Sequence, residues 1–158
     1  MVPDKLYRGN SKFALGSSDG GPGVWSNKDG LGRLINRTDK EGRPDYFYQR
    51  EVTRAPPNVE YLVGGTLFDG VDVGRRVLID AKRYEPGNIL TKNVPEVVRK
   101  GFINNVLDEA RGQLSAANRT GFGVEWHVSG RAEADALRAL FASKGVDIAI
   151  VWTPRIGG

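Results

Sequence analysis

Cysteine is absent from the 158 residues, which removes disulfide frameworks, thiolate metal sites and cysteine nucleophiles together. Histidine occurs once, at His127, so chemistry that needs two imidazoles from one chain is excluded, and with it histidine-pair RNases. Apolar runs extend only a few residues, far short of a membrane span, and the N-terminal segment lacks an apolar signal-peptide core. No G-x-x-x-x-G-K-[ST] motif appears, which disfavours nucleotide kinases and GTPases. Carboxylates and lysine are the best catalytic groups that remain.

What the chain has in quantity is ordinary in most respects. With 39% apolar and 27% charged residues, it can bury one core, and its length suits one domain. Glycine is the exception, at 21 of 158 residues, nearly twice the typical ~7%. The net charge of +4 and a pI near 9.5 suit an anionic partner but do not identify one.

The glycines cluster. Seven of them fall in residues 9–32, beside Ser17, Ser18, Pro22 and Asn27. A segment with so little apolar surface cannot offset its ordering entropy. Residues 1–30 therefore read as a loop-rich lead-in or linker, and 31–158 as the folded domain. Leu31, Leu34 and Ile35 suggest a short helix start.

Beyond Tyr46 the texture changes. Tyr46–Thr53 is aromatic and β-branched, which predicts a strand. Glu60–Asp69 reads as another strand, bulged or bent at Gly64-Gly65. Arg76–Lys82 reads as the next, joined to it by a turn through 72–75. A helix follows, started by a capping-box pair, Asn93 and Glu96, with Pro95 in its first turn. Its stripe is Val98, Phe102, Val106, Ala110, Leu114 and Ala117. Val124–Val128 predicts a strand, Ser129 a cap, and Ala136, Leu137, Leu140 and Phe141 a second helix ended by Gly145. Val146–Trp152 reads as a buried closing strand. The expected order, β-β-β-α-β-α-β, is an α/β or α+β fold: a mixed sheet flanked by helices.

Residues 67–83 carry the chemistry. Along Val77-Leu78-Ile79-Asp80-Ala81-Lys82, side chains alternate between faces, so Leu78, Asp80 and Lys82 share one. With the turn at 72–75, Asp69 faces Leu78 and Leu67 faces Asp80. Asp69 and Asp80 then become diagonal neighbours, about 7–8 Å apart between Cα atoms, where two carboxylates can share one hard cation. Two carboxylates holding a metal beside a lysine suit phosphodiester hydrolysis, with the lysine orienting or deprotonating the attacking water. Residues 75–100 carry seven basic side chains against three acidic, an excess equal to the net charge of the whole chain. Phosphate backbones require such charge. Blander readings stand beside this one. Roughly one D/E-x-K triplet arises by chance in such a composition, Asp69-Gly70 is a turn signal, and Asp80 with Lys82 also fits an exposed cross-strand pair.

An aspartate ending one strand, D-x-K on the next and then a helix resemble the PD-(D/E)xK restriction-endonuclease core. More narrowly, Tyr48 to Pro154 resembles a restriction-endonuclease-fold toxin domain found at the C-termini of bacterial polymorphic toxins. The matching pieces are Tyr48-Gln49, Glu60-Tyr61, Phe68-Asp69-Gly70, Asp80-Ala81-Lys82 with Tyr84, Gln113, Glu125-Trp126-His127-Val128 and Thr153-Pro154. Phe68 stands where the core's name has proline, and the second acid is Asp80 rather than the commoner glutamate. The resemblance implies a Mg²⁺- or Mn²⁺-dependent DNase that is part of a longer secreted chain. It also implies delivery by a bacterial secretion system, action in the target-cell cytoplasm, and a cognate immunity protein as partner. By that carry-over Asp69 and Asp80 bind the metal, the Ala81 carbonyl adds a ligand, and Lys82 assists the water. Glu60 leads as an extra acid, and Glu51 competes for that role. Gln49 and Gln113 fall on motif positions as accessory residues. Arg75, Arg76, Arg83, Tyr84 and His127 are candidate nucleic-acid contacts, although a single strand histidine is more often structural and Tyr84 suits packing. Two other readings remain: a catalytically silent nucleic-acid or protein-binding module on the same scaffold, and an RNase using the same site.

Overall fold

The computed structural model describes residues 32–36, 43–53, 59–84, 88 and 90–156. The glycine-rich lead-in lies outside them. In chain order the elements are β1 (Arg33–Asn36), α1 (Pro44–Thr53), β2 (Val59–Val63), β3 (Thr66–Phe68), β4 (Gly70–Asp72) and β5 (Val77–Lys82), then α2 (Glu96–Asn118), β6 (Gly123–Val128), α3 (Arg131–Lys144) and β7 (Ala149–Trp152). Strands β1-β2-β3 form one antiparallel sheet and β4-β5-β6-β7 a second. The second is mixed: β4 runs antiparallel to β5, while β5, β6 and β7 run parallel. Helices α2 and α3 supply the crossovers that parallel neighbours require. The expected α/β class, a mixed sheet flanked by helices, is present. No helix among the described residues is long and apolar enough to cross a membrane.

The largest departure from the sequence reading is α1, where a strand is expected. Pro44 in its first turn and Asp45 beside it are helix-start signals, and they outweigh the strand propensity of the aromatics. Tyr48 and Val52, then Gln49 and Thr53, are buried pairs four apart, the spacing of one helical face. Leu34 and Ile35 belong to β1 rather than to a helix start. The bend at Gly64-Gly65 is a full hairpin turn, since both glycines take positive φ (55° and 82°), as tight hairpins favour. The single expected strand is thereby split into β2 and β3.

Smaller corrections concern helix ends. Pro95, with no side-chain cap bond, precedes α2 in place of an Asn93 box, and Val98 of the expected stripe is exposed. Gly130 precedes α3, because the Ser129 hydroxyl instead donates to the Tyr84 carbonyl (3.1 Å). The closing strand is shorter than expected, with Trp152 half exposed.

The two faces of the mixed sheet bury different things. Leu78, Val124, Trp126 and Val128 join Phe68 and the apolar sides of α2 and α3 in the main core. Ile79, with Val77 and Ala81 beside it, packs under Tyr48 and Val52 of α1. Each fully buried side chain of this size contributes about 1.5–3 kcal/mol. Gly70 is required where α1 meets β4, since a Cβ there would lie 2.7 Å from the Thr53 side chain.

Candidate active site

The β4–β5 ladder pairs Gly70 with Ile79 and Asp72 with Val77, two residues out of the expected register. A shift of two preserves the faces. Carried one step on, it sets Asp69 directly opposite Asp80 instead of diagonal to it. The strand pairing stops there. Beyond Ile79 this edge of β5 has no strand partner among the described residues, and the Ala81 N–H instead donates to Asp69 Oδ2 (2.8 Å). A bend in the chain thus delivers a carboxylate to an open strand edge.

A cleft of about 390 Å³ opens at that edge, lined by Asp69, Asp80, Ala81, Lys82, Arg83 and Tyr84, by Asp45 and Gln49 of α1, by Glu60 and Leu67, and by Glu109 of α2. The sequence-derived residues Asp69, Asp80, Lys82 and Glu60 are therefore brought together. Lys82 Nζ lies 2.8 Å from Asp80 Oδ2 and 2.6 Å from Glu109 Oε1, and 4.5 Å from the centre of the Trp126 ring. Burial works against charge at Asp80, but the Lys82 ammonium and hydrogen bonds from Lys82 and Gln113 overcome it and hold the carboxyl well below its usual range. Burial likewise opposes charge at Lys82, and Asp80 and Glu109 outweigh it, so the ammonium holds its proton to unusually high pH.

The two glutamines have parallel tasks. Gln49 Nε2 donates to Glu60 Oε2 (2.9 Å), and Gln113 Nε2 donates to Asp80 Oδ2 (2.7 Å). The Gln113 amide is itself oriented, because Trp126 Nε1 donates to its oxygen (2.6 Å); its NH₂ end must then face Asp80. Each glutamine fixes one carboxylate. Of the two candidates for the extra acid, Glu60 lines the cleft, whereas the Glu51 carboxylate accepts from the Ile156 N–H (2.8 Å).

The sequence reading misses Glu109 and Asp45. Glu109 stands one helical turn before Gln113 and so shares its face, a signal that was available. Asp45 was hidden by reading α1 as a strand.

Not every expected residue gathers at the cleft. Arg83 lines it, and so does Tyr84, which also packs against Phe102 with ring centres 5.8 Å apart. Burial pushes the Tyr84 phenol up to about 12, so it stays neutral at ordinary pH. Arg75 and Arg76 precede β5, at the opposite end of the strand. Arg75 is taken up by Asp72 (2.8 Å) and by a two-pronged pair with Glu125 (3.1 Å each), and Arg76 lies over the Phe122 ring at 5.0 Å. Of the seven basic residues expected beside the site, only Lys82 and Arg83 line the cleft, which holds five carboxylates against these two cations.

His127 lies on the other face of the sheet, fully buried. Its Nε2 is 2.7 Å from Glu125 Oε1 and its Nδ1 is 2.8 Å from the Thr153 hydroxyl. An ionised carboxylate only accepts, so the network assigns the proton to Nε2 and leaves Nδ1 to accept from Thr153. Burial lowers the His127 pKa against the opposing pull of Glu125. Tyr48 closes this network by donating to the Thr153 carbonyl (2.6 Å). The geometry is that of a satisfied structural histidine.

Asp69 and Asp80 line the same cleft, with the Lys82 ammonium offsetting the charge of Asp80. Among the described residues no group of three or more His, Cys, Asp or Glu side chains is assembled as a ready metal cage. A pair of hard oxygen donors at an open edge is nevertheless what Mg²⁺ commonly uses, with waters and substrate completing its shell. The donor set fits. No protein-family model matches the chain, and no curated protein matches it either.

Proposed function

We propose that the chain is a metal-dependent nuclease with a restriction-endonuclease-like core, acting on DNA as an antibacterial toxin domain. The observation that supports this reading most is the convergence of Asp69, Asp80 and Lys82 on one cleft at an unpaired strand edge. In this reading Asp69 and Asp80 hold Mg²⁺, for which Mn²⁺ can substitute. The bound ion supplies Lewis-acid polarisation of the phosphodiester and a lowered pKa for water.

The chain's own groups do the rest. Lys82 keeps its proton between two carboxylates, so it acts by positive charge toward the phosphate and by orienting water, not by removing a proton. Gln113 holds Asp80 in one rotamer, and Glu60, held by Gln49, stands within the same cleft. Five carboxylates against two cations make the lining repel a phosphate backbone until added cations offset it, which supports metal dependence. The toxin role, delivery by a secretion system into a target cytoplasm and a cognate immunity protein rest on the resemblance of the motifs to polymorphic-toxin domains.

A second reading, a catalytically silent binding module, draws on the way Lys82, Asp80, Gln113 and Asp69 satisfy one another. Expression in bacteria separates the two. The nuclease reading expects the wild-type chain to arrest growth and Asp80→Ala and Lys82→Ala to be harmless. A harmless wild type, or equal toxicity of all three, removes it. Digestion of purified DNA beside RNA distinguishes a DNase from an RNase.

A further inference from the structure

The Lys82 ammonium occupies the position next to Asp80 that an incoming cation must share. Its side chain is only 11% exposed, against 46% for Glu109. A buried ammonium deprived of its carboxylate partner is strongly unfavourable. A cation that takes over Asp80 therefore strands Lys82 unless a second carboxylate is in reach. Glu109 Oε1 is in reach, at 2.6 Å, and it comes from a different element, at the solvent rim of the cleft. The Trp126 ring, 4.5 Å from the ammonium, adds an attractive cation–π contact that helps hold it in place.

We propose that Glu109 is a positioning residue for metal loading: it retains Lys82 in the cleft when a divalent cation takes Asp80, so that Asp80 exchanges the lysine for the metal without leaving the lysine unpaired. This rests on the metal-dependent reading of the cleft. It assigns the α2 carboxylate a task that differs from ligation, since its nearest partner is the lysine.

The test is calorimetric titration of the full chain with Mn²⁺, a hard divalent probe, for wild type, Glu109→Gln, Glu109→Asp and Asp108→Asn. Glu109→Gln removes the charge, Glu109→Asp keeps the charge but shortens the reach, and Asp108→Asn removes a neighbouring exposed charge as a control. Affinity is expected to fall about three- to five-fold in both Glu109 variants, the scale of a part-exposed ion pair, and to stay at the wild-type level in Asp108→Asn. The Lys82 side-chain ammonium signal in NMR, recorded with diamagnetic Mg²⁺ in place of Mn²⁺, is expected to survive metal saturation in wild type and to be lost in Glu109→Gln. Wild-type affinity in Glu109→Asp would show that only bulk charge matters and overturn the proposal. Unchanged or tighter binding by Glu109→Gln, or loss of the Lys82 signal in saturated wild type, also overturns it. If wild type binds no Mn²⁺, the proposal falls together with metal dependence. If binding depends on Glu109 but no nucleic acid is cut, the exchange stands and the nuclease reading falls.

Discussion

The mixed sheet carries one cluster of charged and polar side chains on each face, and the two are built differently. On the α1 side, Arg75, Glu125, His127 and Thr153 form a chain in which each group has a protein partner, and the histidine is fully buried. On the side of α2, Asp80 and Lys82 are nearly as buried, yet they reach the cleft through the gap left where β4 stops pairing with β5. Both clusters shift carboxylates strongly: hydrogen bonds from His127 and Arg75 override burial and bring Glu125 down to about 2, and Asp80 is lowered in the same direction. Perturbed titration therefore does not separate the two clusters. Access does: only the α2-side cluster opens onto the cleft.

The largest expected effect is confined to the open face. Asp80→Ala or Lys82→Ala should reduce Mg²⁺-dependent DNA cleavage by at least about a hundredfold, the scale seen when a positioned charge is removed from an active site. Circular dichroism should show both variants still folded. A His127→Gln variant assayed beside them should retain cleavage within a few-fold, and equal losses on both faces would erase the distinction.

Next come the two apolar layers. Leu78→Ala opens the main core and should cost about 3–5 kcal/mol, read by urea unfolding. Ile79→Ala, one residue on, faces only α1, which can settle onto the gap, and should cost nearer to 2 kcal/mol. The reverse order would mean that α1 is the more rigidly held layer.

A pH series sharpens the comparison further. His127 is lowered by burial below its ordinary value of 6.5, so the unfolded chain takes up a proton that the folded chain refuses. That contribution to stability is complete above 6.5 and is lost as pH falls below it, with a slope of up to about 1.4 kcal/mol per pH unit. His127→Gln should flatten the unfolding free energy between pH 7 and 5, at a cost near 1–3 kcal/mol at neutral pH for the broken network. Glu125 acts lower, between its ordinary 4.5 and about 2: its share is present above 4.5 and lost as pH falls through 2. The smallest effect belongs to Arg75→Ala. Its side chain is 42% exposed, and solvent screening limits the loss to about 1 kcal/mol in thermal unfolding.

The parts legible in the sequence are those whose period matches a single neighbour. Alternation along Val77–Lys82 gave the faces of β5 correctly, because the strand buries a different apolar layer on each side. The same argument placed Glu125 and His127 opposite Trp126. The spacing of Val106, Ala110 and Ala117 located α2. What stayed hidden depends on where chains meet. The aromatics of 46–53 pack equally well from a helix, and only Pro44 and Asp45 favoured that form. The two-residue shift in register depends on the turn occupying 73–76, and Arg76 adopts positive φ (57°) there, which composition does not announce. Glu109 shares a helical face with Gln113, but its pairing with Lys82 depends on how α2 meets the end of β5.

In the proposed nuclease reading, the open face is the working one and the sealed face is scaffolding. Supercoiled plasmid incubated with wild type, Asp80→Ala and His127→Gln in Mg²⁺ tests this most directly, with excess chelator as a fourth arm. Wild type and His127→Gln should cut, while Asp80→Ala and the chelated wild type should leave the plasmid supercoiled. Cleavage by Asp80→Ala at the wild-type rate, or cleavage that survives the chelator, would contradict the account.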